Sequence, residues 1–344
     1  VKIHLLLFFL GASLAVCAQN GANRVFSFLE LSNSSRLTAL GGNMASIHDN
    51  DVSLVLANPS YINDSMHTGL ALNYTNYFSG INYGFVTYSH TFKNVGSFAG
   101  SVQYLNYGTF TETDEYGYQL GEFNAYDMAF TVGWGRQLAD HFSMGANAKM
   151  IYSDMYQVVS SGVAIDVAGS YFDDKKLLSA TLAVRNAGRQ LNTYVSGVSE
   201  PLPFDVQLGV SKRLLHMPLR ISVLAHHLHK WDIRYNNPAD AEYDPLTGLL
   251  IEERKLSAFG DKLMRHFIIG AEVSPSRSFS FRLGYNYQRR KEMVVASRLS
   301  TVGLSWGFGF RLKHLYFSYA AFALDIIIND EKKWSLLPVC QLLV

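Results

Sequence analysis

The sequence is short of the features that mark several classes of protein. Only two of its 344 residues are cysteines, Cys17 and Cys340. No CxxC or Cys/His spacing occurs, so neither a disulfide framework nor a cysteine-based zinc module is expected. Charged residues are scarce at 17%, and 29 Lys+Arg against 28 Asp+Glu leave a formal net charge of +1. That balance provides no basic face, and no nucleic-acid partner is expected. Past the N-terminal segment no stretch reaches 18 consecutive apolar residues, which excludes a membrane-spanning helix on hydropathy.

Aromatic residues are abundant, with 20 Tyr and 22 Phe, and glycine is plentiful at 27. The N-terminus reads as an export signal. Lys2 and His4 form a basic start, Leu5 to Val16 an apolar stretch, and Val16-Cys17-Ala18 a small-residue cleavage site, so residues 1–18 are read as a signal peptide. A lipoprotein anchored through Cys17 fits less well, because Val16 stands where Gly or Ala is usual.

The main signal is alternation with a period of two. From Phe142 to Met150 one face carries Phe, Met, Ala, Ala and Met, and the other Ser143, Gly145, Asn147 and Lys149. From Phe279 to Gln288 one face is wholly apolar or aromatic, while the other holds Ser280, Arg282, Gly284, Asn286 and Gln288. Successive side chains of a strand point to opposite faces, so these are amphipathic strands. Segments 68–77, 81–92, 96–107, 122–137, 141–153, 158–172 and 177–186 are read as strands. So are 203–213, 217–231, 265–274, 278–289, 300–310 and 314–321, with a fourteenth at the C-terminus. A soluble β-sandwich would normally carry Lys and Glu on its polar face. Here that face is Gly, Ser, Asn, Thr and single charges, which suits a lumen. The expected fold is all-β: an outer-membrane antiparallel barrel of about 14 strands, with outer-membrane lipid as its immediate partner.

Connections alternate in length. Tight turns at 93–96, 139–141 and 172–176 would face the periplasm, and longer segments at 108–121, 187–202, 232–264 and 290–299 the outside. Residues 19–66 do not read as strand. Asp51 before the apolar run Val52 to Ala57, followed by Asn58-Pro59, suggests a short capped helix. This segment is expected to plug or line the periplasmic end of a barrel formed by residues 67–344.

Few residues suggest chemistry. His226, His227 and His229 resemble a metal set, but on a strand His227 and His229 share a face that His226 does not, so no metal site is expected. No strained Gly-x-Ser-x-Gly elbow supports an outer-membrane phospholipase, and no catalytic residues are assigned. Gly41-Gly42 lacks the lysine of a phosphate loop, and no cofactor is expected. Asp127 and Asp166 lie on inward faces and are expected to pair with Arg185 or Arg282 as structural lumenal charges.

Several segments, in order, resemble the PorQ family of the type IX secretion system, and more loosely PorV and the fatty-acid-channel (FadL-like) barrels. They are Phe26 to Leu31 and Arg36 to Gly42, then Asp51 to Leu54 with Ala57-Asn58-Pro59, and Leu72 to Thr75 with Gly80-Ile81. Arg185 to Gly188, Pro203 to Lys212 and His226 to Asp232 follow, then Asp261 to His266, Leu283 to Arg290 and Ser305 to Phe310. The resemblance spans most of residues 24–319. It implies a non-enzymatic barrel that anchors a PorZ-like surface protein beside the PorU/PorV sortase complex, which attaches secreted cargo to anionic lipopolysaccharide. The FadL-like side implies instead a channel for long-chain fatty acids or other apolar solutes. The chain departs from the family pattern after about Tyr319. Residues 322–344 contain Pro338 and end on Val344 rather than an aromatic, which suggests a frameshift and puts the closing strand in question.

Overall fold

The computed structural model describes residues 24–234, 255–276, 278–293, 301–313, 315–328 and 331–344. Fourteen antiparallel strands close into a barrel in which each strand pairs with its sequence neighbours and β14 returns to β1. The strands are β1 (Leu70–Asn76), β2 (Asn82–Phe92), β3 (Gly96–Thr113), β4 (Gln119–Ala139), β5 (Phe142–Met155), β6 (Val158–Asp173) and β7 (Leu178–Asn192). They continue as β8 (Asp205–Arg213), β9 (Leu219–Ala225), β10 (Phe267–Val273), β11 (Phe279–Asn286), β12 (Leu304–Leu312), β13 (Leu315–Ile328) and β14 (Glu331–Leu343). The expected fold class therefore holds. No helix among the described residues is long and apolar enough to cross a membrane.

The alternation in sequence is an alternation of faces. On β5, Ser143, Asn147 and Lys149 are buried in the lumen, whereas Met150 is 68% exposed on the outside. On β11, Ser280 and Arg282 point inward while Phe279, Phe281 and Leu283 form part of an outer apolar belt. In hydrocarbon every backbone N–H and C=O must be paired within the protein, and closure alone leaves no open edge. The last ladder, Ala71↔Leu343 to Thr75↔Val339, supplies that closure. Pro338 stands one residue beyond it, paired with Ala321 of β13.

Several expected boundaries differ. The outward loop expected at 108–121 is strand: β3 and β4 run through it to a short turn at 114–118. Thr109 and Asn124 hydrogen-bond across the hairpin at 2.9 Å, and Phe110 stacks on Phe123 at 5.3 Å. At 18 and 21 residues these strands far exceed the roughly 9–11 that a bilayer requires, so the hairpin stands clear of the membrane. Likewise β7 continues to Asn192, into the loop expected from residue 187. The strand expected at 217–231 ends at Ala225, because His227 adopts a left-handed conformation (φ 54°) that breaks the ladder. The strand expected to reach 289 gives way at Tyr287 to a helix, α3 (Tyr287–Met293). The 232–264 loop lies mostly outside the described residues, and its end forms α2 (Lys255–Arg265).

Residues 24–69 fill the lumen. Asp51 caps a 3-10 turn, Val52–Leu54, and Asn58 caps another, Pro59–Tyr61, each accepting from the backbone N–H two residues on. Ser34 caps α1 (Ser35–Ala39), and the Ser35 backbone N–H and hydroxyl donate to Gln341 on β14 at 3.1 and 3.0 Å. The segment is not confined to the periplasmic end. Val25, Phe26, Phe28 and Leu29 pack on Tyr83, Leu105 and Ile151 towards the long-loop end. Ile62 and Met66 pack with Phe85 and Ala99 at a lower level, and Ser60 hydrogen-bonds Ser170 near the short turns.

The plug fits because the inner wall is built from small residues. A Cβ at Gly284 would collide with the backbone of Leu40 and Gly41, and one at Gly145 with the backbone of Pro59. Neither backbone can yield as a flexible side chain would. Gly284→Val and Gly145→Val are therefore expected to leave a heat-modifiable barrel on gel electrophoresis but to open residues 34–66 to limited proteolysis. Wild-type resistance of that segment in both variants would refute the fit.

Candidate functional site

Two groups of charge line the lumen, one joined by ion pairs and one not. In the paired group, Arg36 of the plug donates to Asp49 (2.6 Å), Asp51 (3.2 Å) and Glu272 of β10 (2.8 Å). Arg220 of β9 donates to Asp49 (3.2 Å) and Glu272 (3.1 Å), and Arg282 of β11 to Glu272 (2.8 Å). Three guanidiniums thus face three carboxylates, and the network ties the plug to three strands. Burial opposes the charge on Asp49, but Arg36 and Arg220 outweigh it and hold the carboxyl at about 2, below its ordinary 3.8.

The expected pairings of lumenal aspartates are only partly met. Asp166 pairs with Lys149 at 2.7 Å and accepts the Asn186 backbone N–H, also at 2.7 Å. Among the described residues Asp127 pairs with no arginine; it accepts from Tyr107 at 2.6 Å and from Ser153. Arg282 is held by Glu272, and Arg185 makes no ion pair with either aspartate. Strand faces alone do not say which inward residues share a level of the barrel, and that decides the partners.

The unpaired group lines a cavity of about 330 Å³ towards the long-loop end, between the plug and the strands. Leu29, Leu31, Phe78, Ile268, Met293 and Phe322 give it apolar walls. Arg289, set by α3, faces it with Nη1 unpartnered, its guanidinium 4.8 Å from the centre of the Phe322 ring. Among the described residues no carboxylate pairs with it. Burial pushes this guanidinium down, with Tyr77 opposing. Arg185 lies on the same cavity, 7% exposed and with Nε unpartnered.

The histidines depart from the strand expectation. Because the chain turns at His227, His226 and His227 both reach Asp205 at the start of β8, while His229 packs edge-on against Phe204. Arg289 had no signal in the sequence beyond its place in a basic run, since an unpartnered cation facing a cavity is recognisable only once its neighbours are known.

No protein-family model matches the chain, and no curated protein matches it. Solved structures do. The Pseudomonas putida toluene transporter TodX superposes with a TM-score of 0.52 at 9% identity, covering 91% of this chain and 97% of its own. The CymD monoaromatic hydrocarbon channel gives 0.51 at 11% identity, covering 91% and 97%. The chain is an outer-membrane β-barrel. It shares the fold of these neighbours, which are a transporter and a channel.

Breaking one partner of a buried charge network costs about 3–5 kcal/mol, because the remaining charges stay buried. Arg36→Met is therefore expected to loosen the plug by that order, raising backbone hydrogen exchange in residues 34–66 while barrel strands stay protected. The depressed Asp49 carboxyl adds a pH dependence. Its contribution is complete above about pH 4 and is lost as pH falls towards 2, where the folded form takes up its proton. Plug protection, corrected for intrinsic exchange, should fall over that window in the wild type. An unchanged protection profile would show that Asp49 does not hold the plug.

Proposed function

We propose that this barrel is a FadL-like uptake protein that takes an amphipathic, anionic solute, such as a long-chain fatty acid, at its outer mouth. The observation that carries the reading is Arg289, half-buried with its Nη1 buried and unpartnered, on the wall of a cavity that mixes apolar and polar side chains; among the described residues no carboxylate pairs with it. A buried charge left without a partner is costly, and an incoming carboxylate would supply the charge-assisted hydrogen bonds it lacks. Cavity size falls within the range of small-molecule sites, which is about 300–1,000 Å³. The plug fills the lumen, so passage would need local movement of the plug or an exit through the wall rather than a standing pore. The hydrocarbon-channel fold of the matched structures is compatible with this reading.

Binding of dansyl-undecanoate to the detergent-refolded full chain tests it. A hydrogen bond to a charged group contributes about 1.5–3 kcal/mol, so Arg289→Gln should weaken binding roughly 10- to 100-fold. The corresponding uncharged alcohol should bind equally to both proteins. Equal carboxylate binding by the variant would remove Arg289 from the site.

A second reading rests on a different observation. The ordered resemblance to PorQ segments between residues 24 and 319, with a plug that meets the wall at both ends of the lumen, suits an anchor that need not conduct. In this reading the outer loops hold a PorZ-like surface protein of the type IX secretion system, next to the PorU/PorV sortase complex. A deletion strain separates the two. Loss of surface-retained secreted proteins with normal fatty-acid uptake supports anchoring, and the reverse supports uptake.

A further inference from the structure

We propose that Asp205, His226 and His227 form a binding site for a divalent transition metal of the zinc class. One donor atom from each lies within 4.8 Å of the other two. The Asp205 carboxylate is 3.2 Å from His227 Nδ1, close to the donor spacing that bonds of about 2.0–2.1 Å to a common ion require. The two imidazole rings are 4.7 Å apart, so small side-chain rotations bring the third donor into range.

The second observation is the state of the histidines. His226 is only 6% exposed, and its Nε2 has no hydrogen-bond partner; His227 Nδ1 has none either. An ion pair between Asp205 and a protonated His227 accounts for part of this arrangement and leaves His226 Nε2 unexplained. A metal accounts for both nitrogens at once. Both histidines line the cavity, so the donors are open to it and a fourth position remains for water or a ligand.

The donors are also held in place. The Asp205 carboxylate accepts the His227 backbone N–H and the Gln207 side-chain amide, both at 2.6 Å, which fixes its plane. The His226 backbone N–H donates to the His266 carbonyl at 3.0 Å, and the His226 carbonyl lies 2.8 Å from His266 Nδ1. Outer partners of this kind orient ligands in metal sites. Two imidazoles and one carboxylate suit zinc or its neighbours in the first transition row, whereas calcium and magnesium call for oxygen donors. His229 stands apart, with its ring 6.0 Å from that of His227, and takes no part.

The test is calorimetric titration of the EDTA-stripped, full-length refolded chain with zinc chloride alone, with cobalt absorption as a second readout. One equivalent of zinc should bind, and cobalt should give the intense visible bands of a low-symmetry site with nitrogen ligands. His226→Ala and Asp205→Asn should weaken zinc on the order of 100-fold, the upper end of what loss of even an outer partner costs, and His229→Ala should not. Heat-modifiable migration confirms that each variant is folded. Absence of stoichiometric zinc binding by the wild type, or unchanged binding in a folded His226→Ala chain, would overturn the proposal. Dansyl-undecanoate binding by the metal-free chain is read separately, so failure of one site leaves the other standing.

Discussion

The closure of β14 on β1 is the constraint on which the rest of the structure depends. Lipid offers no hydrogen-bond partner, so a sheet whose outer face is Leu, Val, Tyr and Phe is stable only when its last ladder is complete. The ladder from Leu343 to Val339 supplies this, with the proline just outside it. Closure then creates the opposite problem inside. The inward faces mix polar groups with small and apolar side chains, and a lumen of this width must be filled by water or by protein. Residues 24–69 fill it, and Gly145 and Gly284 let the filling backbone approach the wall.

The lumen treats its charges in two ways. Around Glu272, each guanidinium has a carboxylate within hydrogen-bonding distance, and the result is mechanical: plug and wall are joined through one network. In the cavity near the long-loop end, half-buried Arg289 and buried His226 keep polar atoms unpartnered. Charges satisfied by the protein hold it together, while polar groups left unsatisfied are available to something that arrives later.

Much of the architecture was legible from residue order. The two faces of β5 and β11 could be assigned residue by residue, since a period of two leaves no choice of face once a strand is assumed. Asp51 announced a helical start by capping chemistry, whereas Asn58, read as a stop, begins a second turn. Other features were not legible. The β3–β4 hairpin projects through the segment 108–121 that was read as loop, because cross-strand pairs such as Phe110 with Phe123 sustain it. The histidines were assigned to opposite faces of a strand that stops one residue before the first of them.

The sequence by itself determined which side chains face lipid and which face the lumen, because that choice is local and repeats every two residues. It also determined that the segment before Leu70 would not join the sheet, since that segment lacks the alternation. Only the tertiary structure decided which lumenal residues meet: Arg36 with Glu272, Lys149 with Asp166, and Asp205 with His226 and His227. Those meetings depend on the stagger between strands and on one left-handed residue at position 227. Both are set by the closed barrel as a whole, and neither is written in any single stretch of chain.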